Sequence, residues 1–301
     1  KGLVETDGVV EGCWIDAADP TPEEASRLSE ELGIPRDFVA DALDPGQVSL
    51  IEKEGGLLLV LVHVPYFDGT ATKPPYLTAP VGIAVGDHWV ATICRIEHEL
   101  LRQLPHERER ELDTTEPTRL LLVALWSVAN MYLRRLGEID AIVERLEGRL
   151  QGSLRNREVL ELLRYQKSLV HFTNSLRGNE LILESLRQGD LVSMAEPEQR
   201  LLDDVIIEHR QAIGRVEVAG TILSNMMDAF ASIISNNLNT VMKFLTSMTI
   251  VLIIPTVLAT FYGMNVPVPF QHDPWAFAGI VALSLLCALI VALIFWKKDW
   301  L

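Results

Sequence analysis

Hydrophobic and polar positions are unevenly distributed along this chain. Residues 244–262 and 275–296 form two apolar runs without a charged side chain, each close to the ~20 residues that a helix needs to cross a bilayer. A third run, 120–132, lies between Arg119 and Arg134. It is too short to span, so it predicts a buried helix in a water-soluble part of the molecule. Upstream, "LLLVLVHV" (57–64) and "VGIAVGDHWVATIC" (81–94) are rich in β-branched residues and interrupted by Gly-Asp, which predicts paired strands. "TPEEASRLSEELG" (21–33) predicts a capped helix, with Thr21 at the N-cap, Pro22 at N1, Glu24 at N3 and Gly33 as terminator.

From about Thr115 the pattern turns helical. One segment opens at Thr115-Glu116-Pro117 and continues to about Leu150, where "QGSLRN" breaks it; a second runs to about Leu186 and ends in "RQGDLVSMAEPE". From Pro197 no turn cluster occurs before Gly263, and Gly214 and Gly220 are tolerable single interruptions at ~1 kcal/mol each. This predicts one helix of roughly 65 residues, about 100 Å at 1.5 Å rise per residue, running into the first apolar span as a stalk.

Along that helix, Thr221, Asn225, Asp228, Ser232, Ser235, Asn239, Met242, Thr246, Thr249, Ile253, Thr256 and Thr260 alternate at spacings of four and three. A 3.5-residue period marks helices wound in a left-handed bundle, yet most members of this seam are polar. In lipid, polar side chains face a bundle interior or a hydrated cavity, so the register predicts several copies around a wet axis. Each Thr or Ser taken singly could instead bond back to its own helix.

Charge fixes an orientation. Lys243 precedes the first span, Lys297 and Lys298 follow the second, and the link between them contains no Lys or Arg. The positive-inside rule places both termini in the cytoplasm and residues 263–274 outside. "KGLVETDGVVEG" lacks the basic n-region and apolar core of a signal peptide, so roughly the first 235 residues are expected to be cytosolic. The chain is 49% hydrophobic with a net charge of −15 and a mean hydropathy of +0.21. The acidic excess argues against nucleic acid as a partner and suits contact with cations, although a solubilising surface explains it equally well. Cys13, Cys94 and Cys287 form no C-x-x-C pair or Cys/His cluster, which argues against a disulfide framework or structural zinc.

Tyr262-Gly263-Met264-Asn265 closes the first span, Pro255-Thr256 precedes it, and the chain ends in "KKDWL". This combination resembles the CorA family of divalent-cation channels over essentially the whole chain. The resemblance implies an α+β cytosolic domain with a long helical stalk and two C-terminal transmembrane helices, a CorA-like funnel. It also implies a homopentamer in the cell's inner (plasma) membrane, with the lipid bilayer, divalent cations and its own copies as partners. Residues 1–114 would be the cytosolic α/β subdomain and 115–238 the helical stalk. Residues 239–262 would be the pore-lining span, 263–274 the external loop, 275–296 the second span and 297–301 a basic cytosolic tail.

Gly263, Met264 and Asn265 would form the selectivity filter. Mg²⁺ gives up its waters reluctantly, so a ring of Asn265 carboxamides can accept hydrogen bonds from the hydrated ion and still release it. Gly263 would supply a chain reversal, and Met264 would pack. The resemblance places Thr256, Ile253, Thr249, Met242, Asn239 and Asp228 on the pore. Leu245 or Thr246 faces the axis between Met242 and Thr249; the resemblance favours Leu245, which with Met242 would form a hydrophobic constriction. Asp204, in "LDDVIIEH", and Asp68, in "YFDG", would hold regulatory Mg²⁺ between neighbouring cytosolic domains, though both also read as solvated surface carboxylates. Mg²⁺ is thus the expected cargo and regulatory ligand, with Co²⁺ or Ni²⁺ as further cargo, and no organic cofactor is implied.

The link departs from the family pattern: "VPVPFQHDP" holds only His272 and Asp273 where many members carry more acid. A Zn²⁺ transporter of the same fold, with or without proton coupling, and a non-conducting membrane-tethered sensor stay open as alternatives. No G-x-S-x-G, H-E-x-x-H, P-loop or G-x-G-x-x-G occurs, so enzymatic chemistry is not expected.

Overall fold

The computed structural model describes residues 6, 8–70, 73–104, 113–150, 156–270, 273–298 and 300. Half of the opening stretch read for a leader peptide (residues 1–5 and 7), residues 151–155 of the expected helix break, His272, and residues 299 and 301 of the tail lie outside them. The chain divides into two compact units, Lys1–Met227 and Asp228–Leu301.

The first unit is built on a five-stranded sheet in the order β1-β5-β4-β3-β2. Its strands are β1 (Cys13–Ala18), β2 (Leu50–Glu54), β3 (Leu57–Phe67), β4 (Tyr76–Val85) and β5 (Trp89–Cys94). β1 runs parallel to β5 and the other pairs are antiparallel. Gly55 and Gly56 join β2 to β3 at φ 59° and 88°. Two successive left-handed residues are what a tight hairpin turn of the sheet's own twist requires, and glycine meets that without a Cβ clash. Residues 58–64 of β3 are buried without alternation, because helices cover both faces of the sheet.

On one face pack α1 (Pro22–Leu32) and α2 (Arg36–Leu43). The predicted capping box at α1 is present: the Glu24 amide donates to Thr21 Oγ1 at 3.3 Å, the Thr21 amide donates to Glu24 Oε2 at 2.8 Å, and Gly33 terminates the helix at φ 70°. On the other face lie α4 (Pro117–Leu150) and α5 (Asn156–Gln188), with short α3 (Glu99–Gln103) beside α4. Residues 120–129 of α4 are all buried, as the third apolar run predicts. The boundary expected near residue 114 does not separate two bodies. The helices that follow it share the sheet's core, because their apolar stripes have no other surface to bury against.

The last two helices are α6 (Glu196–Tyr262, 67 residues) and α7 (Ala276–Lys297). α6 contains the only division between the units. Up to residue 227, Leu202, Val205, His209, Ala212, Val216 and Leu223 are buried at spacings of three, four and seven, against the first unit's own residues. From residue 231 to 246 every side chain of α6 is exposed within the single chain. α6 and α7 are both long and apolar enough to cross a membrane.

Candidate functional site

The twelve seam residues from Thr221 to Thr260 all fall on α6, and every one is exposed. From Asp228 to Thr256 they extend about 42 Å along the helix. Four of the seam's seven hydroxyls bond back to their own helix: Thr221 donates to the Glu217 carbonyl at 2.9 Å, Thr249 to Leu245 at 2.8 Å, Thr256 to Leu252 at 3.2 Å and Thr260 to Thr256 at 2.7 Å. For these four, back-bonding and an outward role are not alternatives. Each spends its one proton on its own helix, and the lone pairs left on the oxygen can only accept. Such oxygens are matched to water molecules that a cation has polarised into donors.

Among the described residues, neither the Asn265 carboxamide nor the Asp228 carboxylate meets a partner within the chain. Ile253, Leu245 and Met242 are about half exposed, and Asn239 is exposed between them and Asp228. Both residues at the ambiguous seam position, Leu245 and Thr246, are exposed.

Gly263 stands in the turn that follows α6. Its amide donates to the Ala259 and Thr260 carbonyls at 3.0 and 3.2 Å, and the Met264 amide donates to the Phe261 carbonyl at 3.4 Å; the φ of Gly263 is not positive. Among the described residues of the link, Phe270 is left-handed, at φ 66°. Met264 is half exposed.

Asp204 lies on the exposed side of α6, next to exposed Ile207 and opposite buried Val205 and Ile206. Asp68 follows β3; its carboxylate accepts from the Thr70 hydroxyl, and its amide donates to Pro75 at 2.9 Å. Among the described residues no three His, Cys, Asp or Glu side chains converge as a metal would require, so one chain does not gather Asp204 and Asp68 into such a site.

Sequence periodicity gave no warning of a contact beside the seam. Ser247 is fully buried while its neighbours on α6 are exposed. Its hydroxyl donates to the Lys243 carbonyl at 2.8 Å, with the Trp300 carbonyl 3.4 Å away. The Trp300 ring stacks on Phe295 with centroids 5.6 Å apart. Trp300 thus folds back from the end of α7 to α6, and only an unmatched aromatic in the tail could have hinted at it.

The family model described as "CorA-like Mg2+ transporter protein" matches residues 11–298. The chain belongs to the CorA family. This is a family of transporters and not of enzymes. Among curated relatives, the "Cobalt/magnesium transport protein CorA" of Methanocaldococcus jannaschii is 27% identical over 299 residues, covering 96% of this chain and 91% of the relative. The "Magnesium transport protein CorA" of Sodalis glossinidius is 22% identical over 320 residues, with 97% and 93% covered. Among solved structures, the complete CorA magnesium transporter from Methanocaldococcus jannaschii superposes with a TM-score of 0.84 at 25% identity, over 96% of this chain and 91% of that one. The full-length CmaX protein shares the fold, with a TM-score of 0.69 at 12% identity and coverage of 92% and 88%. The CorA fold expected from sequence, a mixed α/β domain followed by a long helix and two C-terminal apolar helices, is therefore the fold of this chain.

Proposed function

We propose that this CorA-family chain is one subunit of a homopentameric Mg²⁺ channel in the cell's inner (plasma) membrane, with both termini in the cytoplasm. The observation that carries this reading is the exposed seam of α6, whose Thr249, Thr256 and Thr260 oxygens keep acceptor capacity and which leads to the unpartnered Asn265 carboxamide. The names of the relatives, which give cobalt and magnesium as cargo, support Mg²⁺ first and Co²⁺ second.

In this reading five copies of α6 surround the axis. Asn265, with Gly263 and Met264, receives the hydrated ion at the outer mouth. Thr256 and Thr249 then accept from its waters, and no proton transfer is needed because the oxygens present lone pairs only. Leu245 and Met242 with their symmetry mates form an apolar ring that shuts by dewetting. Asn239 and Asp228 take up the ion beyond it. Asp204 of one copy and Asp68 of the next would repel unless Mg²⁺ lies between them. Falling internal Mg²⁺ then loosens the ring of first units and favours opening.

The test is Mg²⁺ influx into proteoliposomes loaded with an indicator dye, comparing the native protein with Asn265→Ala. Influx that is lost in the variant supports the filter. Zn²⁺ uptake under a proton gradient without Mg²⁺ influx would replace the cargo, and silence with every ion would replace conduction by sensing.

A further inference from the structure

The last turns of α6, the first turns of α7 and Phe270, Asp273 and Trp275 between them line a half-open cavity of about 300 Å³ within the second unit. Its wall grades from apolar to polar along the helices. Leu258, Ile280 and Leu283 line the part deeper in the spans; Tyr262, Phe270, Asp273 and Trp275 line the part at their ends. Gly279 contributes the width, since a Cβ there would meet nothing within 4 Å.

The polar end has a specific character. Phe270 is held in a left-handed backbone, φ 66°, a costly conformation for a residue with a large side chain, and three quarters of its surface is exposed. The Asp273 carboxylate accepts from the Trp275 amide at 2.8 Å and keeps acceptor capacity. Among the described residues, the Tyr262 hydroxyl and the Trp275 indole N–H have no protein partner. No Lys or Arg occurs between Lys243 and Lys297.

We propose that this cavity seats one phospholipid whose headgroup ends in an ammonium, phosphatidylethanolamine being the simplest. Its ammonium meets Asp273 and the aromatic rings, which attract cations through their faces. Its phosphate accepts from Tyr262 and Trp275, and an acyl chain lies against Leu258, Ile280 and Leu283. An anionic headgroup would bring a net negative charge to Asp273 with no Lys or Arg between Lys243 and Lys297 to offset it, so charge complementarity selects the zwitterion. The inference rests on α6 and α7 crossing a bilayer and is independent of ion conduction.

The experiment uses the full-length protein reconstituted in vesicles of equal phosphatidylethanolamine and phosphatidylglycerol. The protein is extracted in mild detergent and delipidated in steps, and retained lipid is counted by native mass spectrometry. Retention of about one lipid per subunit is expected, with ethanolamine favoured over glycerol roughly five-fold, the scale of one exposed charge pair plus a cation–π contact. Asp273→Asn should bring that ratio near one. Gly279→Leu, which fills the cavity, should remove the retained lipid of either kind. Equal retention of both lipids by the native protein overturns the proposal, as does a ratio unchanged by Asp273→Asn. If no lipid is retained and a cysteine introduced by Phe270→Cys is shielded from labelling in the lipid-free oligomer, a second copy fills the cavity and the proposal fails. Should Gly279→Leu not fold, the charge-neutralising variant still decides.

Discussion

Asn179 on α5 holds both backbone groups of His63 on β3. Its Oδ1 accepts from the His63 amide at 2.9 Å, and its Nδ2 donates to the His63 carbonyl at 2.9 Å. β2 pairs with β3 only as far as Leu50 opposite Leu61, so the side chain supplies the hydrogen bonds that the neighbouring strand stops short of making. Ser49, just before β2, bonds Asn179 Oδ1 at 3.1 Å and His63 Nδ1 at 3.0 Å, and the Tyr132 hydroxyl also donates to the His63 carbonyl at 3.1 Å. One polar knot therefore ties α4, α5 and the sheet together inside the core.

Asn179→Ala leaves the buried His63 amide without a partner, while Tyr132 still serves the carbonyl. The expected loss is about 1–3 kcal/mol, read as a lower denaturant midpoint for the first unit's unfolding in the full-length protein. Asn179→Asp keeps the acceptor and should lose less than the alanine variant if the amide is the group that matters, unless burying the carboxylate outweighs it.

Three buried histidines, His63, His98 and His209, make the first unit acid-sensitive, since burial lowers the pKa of each. Burial holds His98 and His209 down to about 4, well below the ordinary histidine value of about 6.5. Below that value the unfolded chain takes up protons that the folded chain refuses. Their contribution to stability is thus complete above pH 6.5 and is lost as pH falls toward 4, by up to about 1.4 kcal/mol per pH unit for each histidine. Thermal unfolding of the full-length protein between pH 7.5 and 5 should show the fall, and His209→Phe should flatten it.

Thr249→Val removes an acceptor from the proposed pore without changing the shape of the side chain. One hydrogen bond of about 1 kcal/mol corresponds to roughly a five-fold loss of Mg²⁺ influx, with Thr249→Ser close to native. Equal rates in the Val and native proteins would take Thr249 off the conduction path.

Leu245→Asn wets the proposed apolar ring. The expected result is a rise in Mg²⁺ leak when internal Mg²⁺ is high, the condition in which the proposed channel would be closed. An unchanged closed-state leak would place the constriction elsewhere.

Much of this molecule was legible locally. Thr21, Pro22, Glu24 and Gly33 mark both ends of α1 because capping is a matter of residues three or four apart. Runs of uncharged residues identified the two apolar helices, and the three-and-four spacing identified the exposed seam of α6, since a helix repeats its face at that interval. The same spacing could not say whether the seam hydroxyls bond their own helix or face outward. In the structure the protons of Thr221, Thr249, Thr256 and Thr260 go inward and the lone pairs remain.

Sequence by itself determined α1, the long helices, the two apolar helices and the strands at 57–64 and 81–94, because these follow from side-chain period, charge and caps within a few residues, whereas β1, β2, α2 and α3 were not legible in it. Only the tertiary structure decided that residues 117–188 share the sheet's core, and that Asn179 completes a strand edge at His63 across 116 positions. It also decided that the tail returns to Ser247, and that Phe270 takes a left-handed backbone. The physical reason is common to all four. Each depends on which distant groups packing leaves unpaired or uncovered, and no local pattern carries that information.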